Sequence, residues 1–89
     1  MGSFDIQIVW DLDDDPEGNV RHILDRHDVS LEEVEEVLRN YSNRYVISRT
    51  SGYRITFGHT QAGRPIAVVW EHIEDNPLIL YPITAWPVD

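Results

Sequence analysis

The feature that most constrains the fold is a change of hydrophobic period near residue 44. Over about residues 20–41, before this change, apolar residues recur three and four positions apart, which is the spacing of one face of an α-helix. After it, apolar and polar residues alternate, as they do in half-buried β-strands. With 89 residues the chain is long enough for one modest core. We therefore expect a single domain over residues 1–89, with helices preceding most of a sheet.

Two helices are predicted in the first half of the chain. Asp15 followed by Pro16 is typical of an N-cap with proline in the first helical position, and predicts a helix from about Pro16 to His27. Ser30 and Glu33 have the spacing of a capping box that begins a second helix. The apolar stripe of this second helix is Leu31, Val34, Val37 and Leu38. The short link between the two predicts a helical hairpin.

Strands are predicted at one place before the helices and at four places after them. The first is "FDIQIVW" at 4–10, and the others are the runs 44–50, 53–59, 64–72 and 78–86. Connections containing Gly, Asn and Pro favour hairpins between the last four. The predicted class is α+β: an N-terminal strand, a two-helix hairpin and a four-stranded antiparallel meander, with the helices on one face of the sheet.

Charge is distributed unevenly along the chain. The formal net charge is −9, and residues 1–40 hold twelve Asp and Glu against three Arg. Residues 41–70 contain no acidic residue and four Arg, and the chain has no Lys. Arginine favours bidentate contact with phosphate or carboxylate. The helical half is therefore expected to repel nucleic acid, and the strand half is the candidate for RNA or acidic groups; we expect no DNA binding by the isolated domain.

Several classes of function are disfavoured by composition. The absence of Cys excludes disulfides, thiolate metal sites and a cysteine nucleophile. No apolar run of membrane-spanning length and no secretory signal is visible, so a cytoplasmic location without membrane contact is expected. Asp11, Asp13 and Asp15 have the alternate spacing of a calcium loop, but Pro16 and His22 stand where Gly and Glu are needed. We therefore predict neither metal nor cofactor.

One pair of residues suggests metal-free chemistry. If residues 60–63 form a tight hairpin loop, His59 and Arg64 flank it and face each other across two strands. An imidazole that moves a proton, next to a guanidinium that holds a phosphate, is what cleavage of RNA by its own 2′-hydroxyl requires. Because Ile55 and Phe57 share the phase of His59, this site needs His59 at the rim or a bulge at Gly58. Further candidate RNA and phosphate contacts are Arg49, Arg54, Tyr53, Thr84 and Trp86.

Five stretches resemble a known family. They are Trp10-Asp11, Asn19 with His22, "RHDVSLEEVEEVL" (26–38), "GHTQAGRPIAVVW" (58–70) and "YPITAW" (81–86). Together they resemble the BrnT-like toxins of bacterial type II toxin–antitoxin systems over nearly the whole chain. The resemblance implies a compact RelE-like fold. It also implies a cytoplasmic ribonuclease that acts without metal or cofactor and is neutralised by a cognate BrnA-like antitoxin.

Two positions depart from the pattern of that family. The toxins often have arginine where this chain has His59 and Trp86, and a basic tail follows the second position. One hypothesis is a BrnT-like ribonuclease in which Arg54 and Arg64 bind phosphate and His59 acts as a general acid or general base. In this hypothesis Trp86 stacks on a nucleotide base. The alternative is a non-catalytic module on the same fold, which holds a protein partner on its arginine-bearing sheet.

Overall fold

The computed structural model describes residues 6–26 and 28–88, without the side chain of Arg26. The helices are α1 (Asn19–Arg26) and α2 (Leu31–Tyr41), and the strands are β1 (Ile6–Ile8), β2 (Val46–Ile47), β3 (Arg54–His59), β4 (Pro65–Glu74) and β5 (Leu78–Pro87). The α+β class with two helices is confirmed. Part of the predicted first strand and the residue His27 lie outside the described residues.

The sheet is mixed and has the strand order β1-β5-β4-β3-β2. Strands β2 to β5 pair antiparallel with their neighbours in sequence, whereas β1 lies parallel to β5 at one edge. The predicted four-stranded antiparallel sheet is therefore wrong in strand count and order. Parallel pairing needs a long connection rather than a hairpin, and the chain between β1 and β5 contains both helices and three strands.

The core lies between one face of the sheet and the two helices. From α2, Val34, Val37 and Leu38 are fully buried, and Ile23 is buried on α1. These side chains cluster with residues of β4 and β5: Ile66, Val68, Trp70, Leu80 and Ala85. The helical stripe and the alternate strand positions supply the two sides of this core, as their periods predicted. The helices therefore cover one face of the sheet.

The capping box of α2 is confirmed, and the predicted start of α1 is wrong. Ser30 Oγ accepts the backbone N–H of Glu33 at 3.1 Å, and Glu33 Oε1 accepts the backbone N–H of Ser30 at 3.0 Å. Helix α1 begins at Asn19 instead of Pro16. Asp15 stabilises the preceding turn, since its backbone carbonyl accepts the N–H of Gly18 at 3.0 Å. Tertiary contacts of Asn19 fix where the helix begins, as described below.

Candidate functional site

Most of the sheet face opposite the helices is apolar, and its exposed carboxylate on β4, Glu71, lies two residues beyond Val69 at one end of this face. Strand register places three rows of side chains on it: His59, Pro65 and Val88; Phe57, Ala67 and Trp86; Val46, Ile55, Val69 and Thr84. We call these residues the open face. They include no Asp, Glu or Arg, and the only titratable side chain among them is His59 at the rim.

Large apolar side chains of the open face are accessible to a partner. Phe57 is 56% exposed and Val46 is 57% exposed. Ala67 is fully buried even though no helix covers it, because it lies between Phe57 and Trp86 on the neighbouring strands. The Thr84 hydroxyl is buried and makes no hydrogen bond within the described part of the chain. The face therefore offers apolar area rather than polar contacts.

His59 and Arg64 do not face each other, contrary to the prediction. Residues 61–63 form a three-residue hairpin loop closed by Thr60 and Arg64. The backbone N–H of Thr60 donates to the carbonyl of Arg64 at 2.9 Å. Gly63 has φ of +88°, as expected for the last residue of such a loop. His59 is consequently opposite Pro65, and it points away from the side of Arg64. Pairing of β3 with β4 is continuous, so no bulge turns His59 back.

Arg64 is held by groups at the start of α2. One terminal nitrogen, Nη1, lies 2.9 and 3.0 Å from the two carboxylate oxygens of Glu33. The other, Nη2, donates to the carbonyl of Asp28 and lies 3.6 Å from its carboxylate. Because these acceptors occupy the guanidinium, Arg64 links the β3–β4 hairpin to α2. Binding a phosphate there requires breaking the Glu33 ion pair.

The Glu33 carboxylate is stabilised in its charged form. Partial burial by itself would raise the pKa of Glu33. The hydrogen bonds from the Ser30 backbone and from Arg64, together with the charge of Arg64, outweigh burial and lower this pKa below its ordinary value. The ion pair is therefore fully formed at neutral pH.

Arg54 also points to the helix-covered side of the sheet. Its guanidinium carbon lies 4.2 Å from the ring centroid of Tyr45 and 5.4 Å from that of Trp70. Trp70 in turn donates its indole N–H to Thr56 at 2.8 Å in the core. These cation–π contacts give Arg54 a packing role at the sheet end. The predicted phosphate-binding arginines therefore do not converge with His59.

The other predicted contacts are dispersed. Arg49 is exposed in the turn between β2 and β3, whereas Tyr53, just before β3, is partly buried. Thr84 and Trp86 share the open face with His59. The structure therefore places three neutral members of the predicted RNA site on one face and leaves its arginines on the other side or in a turn. The observed loop is one residue shorter than the predicted loop of residues 60–63. This difference is sufficient to place His59 and Arg64 on opposite sides of the sheet.

A polar network beside β5 was not identified from the sequence. Asn19 is 3% exposed and donates its amide N–H groups to the carbonyls of Val9 and Pro82 at 3.0 and 2.9 Å. Its side-chain oxygen accepts the backbone N–H of Asp11, and Asp11 Oδ2 accepts the backbone N–H of Asn19, both at 2.9 Å. Tyr81 donates its hydroxyl to the same Asp11 carboxylate. Asp11, Asn19 and Tyr81 each lie in a stretch quoted for the family resemblance, which was the available signal.

The network joins the loop before α1 to β5. The hydrogen bond to Asp11 is the main cause that raises the pKa of Tyr81 to about 12, with burial second. The same bond and the Asn19 backbone lower the pKa of Asp11. With its pKa raised, Tyr81 stays protonated at neutral pH, and its hydroxyl remains the donor to Asp11. We therefore assign this cluster to the attachment of the loop before α1.

Comparisons with known structures and families add no assignment. No helix within residues 6–26 and 28–88 is long and apolar enough to cross a membrane. No family model matches the chain, and neither a curated protein nor a solved structure is found to be similar to it. The interpretation of the open face therefore depends on its own geometry and chemistry.

Proposed function

We propose that the chain is a BrnT-like domain with a RelE-like fold whose open face binds a protein partner, without RNA cleavage. The order of one strand, two helices and four strands supports the relation to that family. The observation that carries the function is the uncharged apolar surface around Phe57, Ala67 and Trp86. By the same resemblance, the partner is a cognate BrnA-like antitoxin.

The chemistry of the open face favours protein over RNA. Centres of protein interfaces are poor in charged side chains and rich in aromatic ones, which describes the rows around Phe57 and Trp86. RNA affinity in contrast depends on cations near phosphates. Arg54 and Arg64 lie on the other side of the sheet, where they contact aromatic rings and a carboxylate. In this proposal the arginines stabilise the fold, and the apolar face supplies the binding energy.

One observation favours the ribonuclease as a second candidate. His59 is exposed at the rim of the open face, and Trp86 lies on that same face. An imidazole next to a stacking surface can accept the 2′-hydroxyl proton of a bound nucleotide. Arg64 contributes to this reaction only if it leaves Glu33. The two candidates are therefore distinguished by whether cleavage occurs and whether it needs His59 and Arg64.

Co-expression with the protein encoded beside this chain tests the first candidate. We expect co-purification with the unmodified chain and at least a tenfold weaker affinity for Phe57→Asp, because a carboxylate on the open face must be desolvated in the complex. The matched control is Leu24→Asp, since Leu24 is also exposed, at 45%, but lies on α1. Equal loss in both variants, or no loss in either, contradicts the assignment of the surface.

RNA cleavage by the purified chain in EDTA tests the second candidate in parallel. Cleavage that disappears in both His59→Ala and Arg64→Ala establishes the ribonuclease and contradicts the non-catalytic proposal. Circular dichroism of Arg64→Ala is needed as a control, since this change also breaks the Glu33 contact. Absence of cleavage, together with binding that depends on Phe57, supports the protein-binding function.

A further inference from the structure

We infer that the partner binds as an extended strand added to the free edge of β3. This inference rests on the proposed function and specifies how the partner is held. The backbone of Phe57 and His59, on the side of β3 away from β4, is called the β3 edge. Main-chain hydrogen bonds to such an edge supply affinity, and alternate side chains supply specificity.

The β3 edge is free because β2 is short. Within the described residues β2 pairs only with Arg54 and Ile55, so no strand pairs with the rest of β3 on that side. The pairing of Thr60 with Arg64 fixes the phase of the β3–β4 ladder. In an antiparallel pair, residues whose backbone N–H and C=O bond to the partner strand alternate with residues whose groups point away from it. Phe57 and His59 therefore direct their N–H and C=O groups toward the free edge.

Space for a strand is present on both sides of Phe57. One cavity of about 490 Å³ is lined by Glu36, Asn40, Tyr41, His59, Thr60 and Gln61. A second, of about 420 Å³, is lined by Asn43, Arg44, Tyr45, Val46, Ile55 and Phe57. Both are bordered by β3, one toward its end and the other toward β2. A segment of three to four residues, about 10–13 Å long, spans this part of the edge.

Helix α2 packs closely against β3 at Gly58 and borders the β3 edge on one side. A Cβ atom at Gly58 would lie 2.4 Å from the Tyr41 ring, so glycine is required for the helix to approach β3 here. Tyr41 consequently covers the helix side of Gly58. An added strand meets α2 on this side and the open face on the other. Its successive side chains therefore enter two different environments.

The two environments specify the chemistry of the partner. Residues opposite Phe57 and His59 extend the apolar open face, so apolar side chains suit these positions. The residue between them points toward Glu36, whose carboxylate accepts the N–H of Gln61 at 2.6 Å. None of the ion pairs formed by the described side chains includes Glu36. Its uncompensated charge, in a chain of net charge −9, favours Lys or Arg at that position.

The structure thus assigns to the β3 edge a partner segment of the pattern apolar, basic, apolar. The proposed probe is a phage-displayed library of random 12-residue peptides, selected on the immobilised full chain. We expect enriched sequences in which apolar residues alternate with Lys or Arg. Their affinities for chain variants are then measured with synthetic peptides by isothermal titration calorimetry.

A proline at the edge removes the donor without removing a ladder bond. Phe57→Pro is expected to weaken the selected peptides at least tenfold relative to Phe57→Val, which retains the N–H. Glu36→Gln retains an acceptor for Gln61 and is expected to weaken them about threefold to tenfold at low salt, with less dependence on salt. Circular dichroism and thermal unfolding establish that each variant is folded.

Amide hydrogen exchange of the unmodified chain gives an answer that does not depend on the proline variant. Bound peptide is expected to protect the N–H groups of Phe57 and His59 more strongly than those of the exposed turn at Arg49. One outcome is enrichment of peptides with apolar residues at helical spacing, whose binding is abolished by Phe57→Asp but does not protect these amides. That outcome overturns the strand inference and still supports the proposed function. Lack of enrichment, or binding unaffected by both Phe57→Asp and Phe57→Pro, contradicts both.

Discussion

At the scale of single residues, Asn19 shows how one side chain fixes a long connection. Its side-chain amide donates to two segments that are far apart in sequence, at Val9 just after β1 and at Pro82 in β5, while its backbone N–H donates to Asp11. A buried amide with all these partners is costly to replace, because each partner loses its bond. The position at which α1 begins therefore follows from contacts across the sheet rather than from Asp15 and Pro16.

Tyr81→Phe is expected to lower the free energy of unfolding by about 1.5–3 kcal/mol at pH 7, the usual contribution of a hydrogen bond to a charged group. The raised pKa of Tyr81, about 12, means that its contribution is complete below the unfolded value near 10 and is lost between these values as pH rises. The lowered pKa of Asp11 gives a contribution present above its unfolded value and lost as pH falls through the folded value.

Urea unfolding at pH 3, 7 and 11 measures this effect. The difference in stability between the unmodified chain and Tyr81→Phe is expected to be largest at neutral pH and smaller at both extremes. Tyr45→Phe is the control, because Tyr45 contacts Arg54 through its ring rather than through its hydroxyl. A difference that does not change with pH contradicts the assigned Asp11–Tyr81 bond.

At the scale of elements, the start of α2 is the point where three parts of the chain meet. Glu33 closes the capping box on Ser30 and also receives Arg64 from the β3–β4 hairpin. The sequence predicted the first of these contacts from a four-residue motif. It did not predict the second, since the partners are 31 residues apart. One carboxylate thus stabilises both a helix end and the position of a hairpin.

Ser30→Ala is expected to destabilise the chain by about 1 kcal/mol, the usual cost of losing an N-cap. Ser30→Asp is the matched rescue, since Asp is equally favoured at this position and accepts the same N–H. Chemical unfolding of the three chains gives the measurement. Equal destabilisation by Ala and Asp contradicts the capping assignment and indicates instead a requirement for the serine side chain itself.

The Arg64–Glu33 contact is expected to be worth about 0.5–1 kcal/mol, because Arg64 remains 33% exposed and solvent screens a pair of this kind. A double-mutant cycle with Arg64→Gln and Glu33→Gln isolates the coupling. Since the pKa of Glu33 is lowered, the coupling is present above the unfolded carboxyl value and is lost as pH falls through the folded one. Coupling of the same size at pH 2 and pH 7 contradicts an ionic contact.

At the scale of the whole molecule, most acidic side chains lie on the helix side of the sheet, and the open face lies on the other side. The helices carry exposed carboxylates such as Glu32, whereas the open face carries none. An acidic layer limits non-specific association, and under the proposed function the open face is the surface that binds the partner. The arginine-bearing sheet stays a prediction as a binding surface, and Arg54 and Arg64 lie on its helix side.

Much of the architecture was predictable because it depends on local periodicity. The stripe that includes Val34 and Leu38 predicted a second helix with one buried side, and the alternation after residue 44 predicted hairpin-linked strands. Ser30 and Glu33 specified a helix start within four residues. Such signals depend on neighbours one turn or one pleat away, so the linear sequence contains them in full.

The remaining features were decided by tertiary structure. The parallel addition of β1 to β5 depends on pairing between the two ends of the chain, and the start of α1 depends on carbonyls at Val9 and Pro82. The loop closed by Thr60 shifted the register by one residue, and this sent His59 and Arg64 to opposite sides. In a sheet the side-chain direction alternates at every residue, so composition and spacing identify the groups of a site, but only the exact register determines which of them meet.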